Sequence, residues 1–92
     1  MGFNKVHNLR EGSRNGDWLK YWEKTTGKKA NLCHRVGCNQ LATDGAHVQL
    51  DTPSDNHWYI VPLCHKCNCQ FGEHFIVKGP LVSMTDPSII LW

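Results

Sequence analysis

Four cysteines carry the most specific chemistry in the chain. Cys33 and Cys38 form a C-x4-C pair, Cys64 and Cys67 a C-x2-C pair, and 25 residues lie between the pairs. Each pair puts two sulfurs on a tight turn, and four thiolates so placed hold one Zn²⁺ tetrahedrally at Zn–S distances of about 2.3 Å. Such a site is closed, with no position for water or substrate, so its zinc is structural. Gly37 is placed to relieve the first turn. His34 and His65 each directly follow a ligand cysteine, and their rings are expected to point away from the metal. Cys69 is left over; burial as a small apolar residue is the expectation for it, substitution as a ligand the alternative.

At 92 residues the chain is read as a single domain over 1–92, too small for its core alone to give more than marginal stability. A metal staple is therefore expected to be a folding requirement. The net charge of +2 is unevenly spread: residues 1–35 hold eight Lys/Arg against three acids, and residues 36–92 hold two against five. Zinc with four thiolates adds −2, which brings the loaded protein near neutrality and argues against general DNA binding. Residues 1–11 are polar, and nothing approaches the roughly 20 apolar residues of a membrane span. A cytoplasmic, soluble protein is expected, a monomer or small homo-oligomer with reduced cysteines and no membrane partner.

The elements that must position the thiols can be read in outline. Residues 1–15 lack apolar periodicity and read as a flexible arm. Residues 16–27 read as an aromatic, basic helix, with Asp17 as its cap and Gly27 as its stop. Trp18, Tyr21, Trp22 and Thr25 follow i, i+3, i+4, i+7 spacing, so one aromatic face is expected to dock on the zinc core. Lys20, Lys24, Lys28 and Lys29 form a basic face, either simply solvated or suited to phosphate or an acidic protein surface. Residues 46–50 and 57–61 suggest a β-hairpin across a turn-rich loop, with Pro62 ending the second strand. The second knuckle is expected to open a short helix to about Gln70 or Phe71, stopping at Gly72. In the C-terminal segment, 72–92, short apolar runs read as edge strands or a tail against the hairpin, and the apolar end 89–92 as tucked in or held by a partner. The expected class is a small α+β zinc-stabilised domain: N-terminal helix, knuckle, hairpin, second knuckle with short helix, C-terminal strands.

Laid out this way, residues 33–71 resemble the treble-clef zinc fingers, and in particular the HNH (ββα-metal) group. The resemblance is carried by Cys33 and Cys38, by Gly45-Ala46-His47-Val48, and by residues 60–68, Ile-Val-Pro-Leu-Cys-His-Lys-Cys-Asn. It implies that His47 occupies the place of the general base that activates water against a DNA phosphate. Asn68 falls where a ligand of the catalytic Mg²⁺ or Mn²⁺ sits. The catalytic set is degraded: Ala46 stands where the family has Asp before the base, Tyr59 where it has Asn, and Gln70 to Gly72 offer no basic residue on the final helix. A buried structural imidazole is the other reading of His47.

Two functions of different class follow. The favoured one is a zinc-structured binding protein without catalysis, similar in size and style to small phage and mobile-element inhibitors such as the zinc-containing anti-CRISPR proteins. These act by binding a nucleic-acid-processing enzyme. On that reading the partner is a protein, and Trp18, Lys20, Tyr21, Lys24, Lys28, Lys29 and Trp58 are the candidate contacts. The alternative is a compact HNH endonuclease using His47 and Asn68. A DNA-binding finger is a third, plainer option.

Overall fold

Alternation of buried and outward side chains along six short strands sets the architecture. In this computed structural model the described residues are 2–9, 17–52, 54–70, 72–86 and 88–91. The elements run β1 (Phe3–Asn8), α1 (Asp17–Thr26), β2 (Asp44–Leu50), β3 (Tyr59–Leu63), α2 (His65–Asn68), β4 (His74–Lys78), β5 (Leu81–Ser83) and β6 (Ile90–Leu91). The strands form one antiparallel sheet in the order β4-β1-β2-β3-β5-β6. The class is thus small α+β, mostly antiparallel strands with two short helices.

Because side chains alternate across a strand, the register divides the residues between two faces. Ala46 and Val48 of β2 share one face with Val6, Tyr59, Val61, Leu63, Phe75, Val77 and Leu81, and the buried cysteines pack into this cluster. Ile60 and Val82 form a second cluster on the other face, closed by Trp22 of α1, which lies across β2, β3 and β5. The sheet curls until its sides are bridged by residues 34–36. The His34 amide donates to the Pro62 carbonyl of β3 (2.9 Å), while Lys78 N donates to His34 O and Val36 N to Ile76 O of β4 (both 2.9 Å).

Docking of α1 combines apolar burial with two directed hydrogen bonds. Trp22 is fully buried and its indole N–H donates to Pro80 O at 2.9 Å; Tyr21 Oη donates to Ser83 O at 3.1 Å. An indole buries about 150–250 Å², so this one residue supplies much of the attachment. The helix also comes unusually close to β2 at Gly45. A Cβ there would lie 2.6 Å from Leu19 N and 2.7 Å from the Trp18 carbonyl carbon. Only a residue without a side chain admits that approach.

Several expectations are corrected. Residues 3–8 are not an arm but strand β1, bonded to β2 and β4 on its two sides; residues 10–15 lie outside the described set. The helix is the second element rather than the first, and it docks on the sheet face opposite the cysteines, not on them. Pro62 lies inside β3. Its carbonyl turns towards His34, away from the ladder to β2, so the ladder asks for no N–H there. α2 ends at Asn68, short of Gln70, and Phe71 is outside the described residues. The C-terminal strands part company: β4 joins the β1 edge, while β5 and β6 extend the sheet beyond β3. Ile89, Ile90 and Leu91 are half-buried, and Trp92 is not among the described residues.

Gly45→Ala tests the helix approach by its sign. At an ordinary φ this change stabilises by about 0.4–1 kcal/mol through the unfolded chain, whereas overpacking costs about 1–3 kcal/mol. Urea unfolding of the zinc-loaded variant is expected to show a net loss.

Candidate metal centre

The first knuckle is a tight turn in which Cys38 N donates to Arg35 O (3.0 Å) and Cys33 N to Gln40 O (2.7 Å); Gly37 takes a φ of 91° within it. Only glycine adopts that conformation without strain. The second knuckle begins with Cys64 in extended backbone at the start of α2, and Cys67 follows one turn later on the helix. Together they bring the four sulfurs to within 4.8 Å of one another.

The sulfur spacings fit a metal better than a disulfide. Cys38 Sγ lies 3.8 Å from Cys64 Sγ and 3.9 Å from Cys67 Sγ, and all five cysteines are free thiols. A tetrahedral ion with Zn–S bonds of about 2.3 Å requires sulfur–sulfur edges of about 3.8 Å, whereas a disulfide needs about 2.05 Å. Around the sulfurs, burial opposes negative charge while backbone amides favour it. Burial pushes the Cys33 thiol up to about 12, even though the backbone amides of Cys64 and Arg35 donate to it. Cys67 is likewise raised by burial, while the Gln40 amide holds Cys38 below the ordinary thiol range. Buried thiols with N–H groups aimed at them become thiolates when a cation shares the cluster. Four cysteine ligands close such a site, so its contribution is to hold the fold.

The neighbouring histidines stay out of the cluster. His34 packs edge-on against the Trp22 indole at 5.2 Å between centroids. His65 turns its Nδ1 to Asp44 Oδ2 at 3.1 Å, with the Cys69 thiol 3.3 Å from its Nε2. Cys69 is exposed, which corrects the expectation of burial, and it lies outside the four-sulfur group.

Asp44 organises the floor beneath α2. Its carboxylate is almost fully buried and accepts from Asn68 Nδ2 (2.9 Å) and Thr43 Oγ1 (3.0 Å), while Asn8 Nδ2 donates to Asn68 O (2.7 Å). Burial pushes this carboxyl up, but the hydrogen bonds from Asn68, His65 and Thr43 outweigh it, and the group ends below the usual carboxylate range. Its partners His65 and Asn68 both lie on α2, 21 and 24 residues away, and leave no local trace in sequence; only the register of β2 shows that Asp44 points inward.

His47 and Asn68 are not brought together. Asn68 is on the cysteine face, bonded to Asp44. His47 is buried on the opposite face, its ring edge-on to Trp18 with centroids 5.2 Å apart. Among the candidate contacts, Trp18 and Tyr21 are half-buried under α1, Trp58 is partly exposed ahead of β3, and Lys20, Lys24, Lys28 and Lys29 are exposed. These four lysines, Glu23 and Gly27 line one shallow hollow of about 430 Å³. Glu23 is turned to Ala30 N, which donates to its Oε2 at 2.8 Å.

Comparison with protein-family models, curated proteins and solved structures found no match to this chain. The likeness to the HNH group therefore rests on its motif residues alone. Among the described residues no helix is long and apolar enough to cross a membrane.

Two outcomes test the centre. The purified protein is expected to carry one zinc on the four cysteines and to unfold cooperatively when a strong chelator removes it. Cys33→Ser and Cys64→Ser should lose that ion and the fold, while Cys69→Ser keeps both, as read by native mass spectrometry and circular dichroism. Asp44→Ala should cost about 1–3 kcal/mol, because it strands the Asn68 amide. The sign with pH follows from the lowered pKa: the carboxylate stabilises the fold above its unfolded value, and this is lost as pH falls. Unfolding midpoints of wild type and Asp44→Ala should thus lie furthest apart near neutrality and converge in the acid range.

Proposed function

We propose that this chain is a zinc-structured binding protein that recognises an acidic macromolecular surface and performs no catalysis. The observation that carries this reading is the separation of His47 and Asn68 onto opposite faces of the sheet. A base and a metal ligand for phosphodiester attack must converge on one phosphate, within hydrogen-bond reach of it or of its water. Here the sheet stands between them, and Trp18 covers the imidazole.

Recognition is supported by the end of α1. Four exposed lysines gather around one hollow there, and the single carboxylate among them is engaged with the Ala30 amide. Lys24, Lys28 and Lys29 also offset the negative end of the helix dipole, so they are retained at little cost to the fold. Leu32, Val36 and Leu41 on and around the first knuckle are exposed large apolar residues, as is Trp58. Basic residues beside exposed apolar and aromatic ones suit an acidic protein partner better than naked phosphate backbone. Inhibition of a nucleic-acid-processing enzyme is the form of this activity that the likeness in size and style to the anti-CRISPR inhibitors suggests.

Zinc-loaded protein incubated with supercoiled plasmid and Mg²⁺ or Mn²⁺ is expected to leave the DNA intact. Nicking that disappears in His47→Ala would overturn the proposal in favour of the endonuclease. In cross-linking from its native host, the protein should capture a protein partner that is lost on Lys20→Glu/Lys24→Glu/Lys29→Glu with zinc content unchanged. Affinity for DNA alone that falls steeply with salt would instead identify a nucleic-acid binder.

A further inference from the structure

A second convergence of metal-ligating groups lies far from the cysteines in the chain. His7 of β1 and His74 of β4 face each other directly across the ladder, and Asp51, just past β2, reaches both. The Asp51 carboxylate has Oδ1 2.8 Å from His7 Nδ1 and Oδ2 2.8 Å from His74 Nδ1. The imidazole centroids are 5.3 Å apart. The backbone holds the carboxylate in place, since Asp51 N donates to Lys5 O at 3.1 Å. All three open into a cleft of about 710 Å³ that Lys5, Gln49, Asp55 and Asn56 also line.

Gln49 orients the His7 ring from its outer side. Its Nε2 donates to Asn56 O at 3.3 Å, which turns Oε1 to His7 Nε2, also at 3.3 Å. An oxygen in that position accepts the Nε2 proton, so the neutral ring keeps its Nδ1 lone pair. That lone pair then confronts a carboxylate oxygen at 2.8 Å. A proton on Nδ1 or a metal ion beside the pair satisfies that contact. A hydrogen bond from the outer nitrogen of a histidine is also how ligating imidazoles are oriented towards metals.

We propose that His7, Asp51 and His74 form a second metal site, holding Zn²⁺ through two imidazole nitrogens and one carboxylate oxygen, with water in the remaining position. Two histidines and a carboxylate suit zinc and its neighbours among the divalent transition ions, and three protein ligands with one open position define the accessible class of zinc site. Bonds of about 2.0–2.1 Å in a tetrahedron need ligand atoms about 3.3 Å apart. The present 2.8 Å contacts reach that spacing by small side-chain rotations, which surface positions allow. His74 has a side-chain exposure of 58%, His7 of 29% and Asp51 of 21%, so solvent reaches the ion. The site differs in kind from the four-cysteine centre: it is open, brought together by strand register, and lies outside the buried core.

The test is zinc stoichiometry and affinity in the full chain. Protein with its first equivalent bound is titrated with Zn²⁺ by calorimetry, and bound metal is counted after dialysis. Wild type should take up a second, weaker equivalent. His74→Ala and Asp51→Asn should lose it at least tenfold in affinity while keeping the first, and Gln49→Leu should weaken it about 10–100-fold through the lost orientation of His7. Cobalt gives a second readout, because the four-thiolate site shows strong sulfur charge-transfer absorption and the second site adds ligand-field bands without it. Retention of the first equivalent and of the cobalt–thiolate spectrum verifies that each variant is folded. The proposal is overturned by uptake that stops at one equivalent, which would mean that a proton bridges these groups, or by a second equivalent that His74→Ala and Asp51→Asn leave unchanged.

Discussion

The segment that closes the sheet is also the segment that carries two of the four thiols. Residues 34–36 hydrogen-bond to β3 on one side and β4 on the other, and Cys33 and Cys38 flank them. Cys64 directly follows β3, and Cys67 sits on α2. An ion shared by the four sulfurs therefore ties the closing segment to the strand it already touches. Without the ion, a fully buried Cys33 with a thiol pushed up to about 12 contributes packing and two weak amide–sulfur contacts, and closure rests on these and a few backbone hydrogen bonds. Net contributions of about 0.5–1.5 kcal/mol each make that a weak clasp for a chain of this size.

Strand β2 receives the load from both sides. Ala46 and Val48 point into the cluster that surrounds the cysteines, and Asp44 on the same face anchors Asn68 and so α2. Gly45 and His47 point the other way and lie beneath α1. Five consecutive residues thus serve alternate layers. This explains why a glycine and a histidine stand in the buried part of the strand: one admits the helix backbone, the other sets its ring at right angles to the Trp18 indole.

Features whose chemistry is local were legible in sequence. The cysteine pairs are brought together by turns of a few residues, and the helix announces itself through aromatic spacing and the Gly27 stop, so both are readable without knowing the fold. Strand β1 was not, because its two apolar residues, Phe3 and Val6, do not alternate and Phe3 is exposed; the other fully inward position is Asn8, paired with the α2 backbone. Pro62 misled because its strand neighbour lies on one side only at that point. The group of His7, Asp51 and His74 has no sequence signature, since its members are 44 and 23 residues apart and meet only through the β1–β4 register. The motif Gly-Ala-His-Val was visible but its meaning was not: the resemblance reads it as catalytic, while in the fold its glycine and histidine seat a helix.

Accessibility then separates the histidines by what they can do. An imidazole that moves protons or binds an exchangeable metal must be reached by solvent, and acquires its tautomer from a partner on its second nitrogen. His47 is 4% exposed beneath an indole, and for it to meet a phosphate Trp18 would have to leave the sheet. Displacing Trp18 would pull on a helix whose backbone is wedged against Gly45 and whose next aromatic, Trp22, is bonded to Pro80. Opening that site is therefore coupled to undocking α1, a cost of several kcal/mol on the scale of burying a large aromatic residue. His7 and His74 face the converse situation. They sit on the sheet beyond the helix, where solvent reaches them and Gln49 orients one ring without any movement of the core. The same sheet thus keeps one histidine as packing and leaves two free for coordination, and the difference lies in which strands α1 covers.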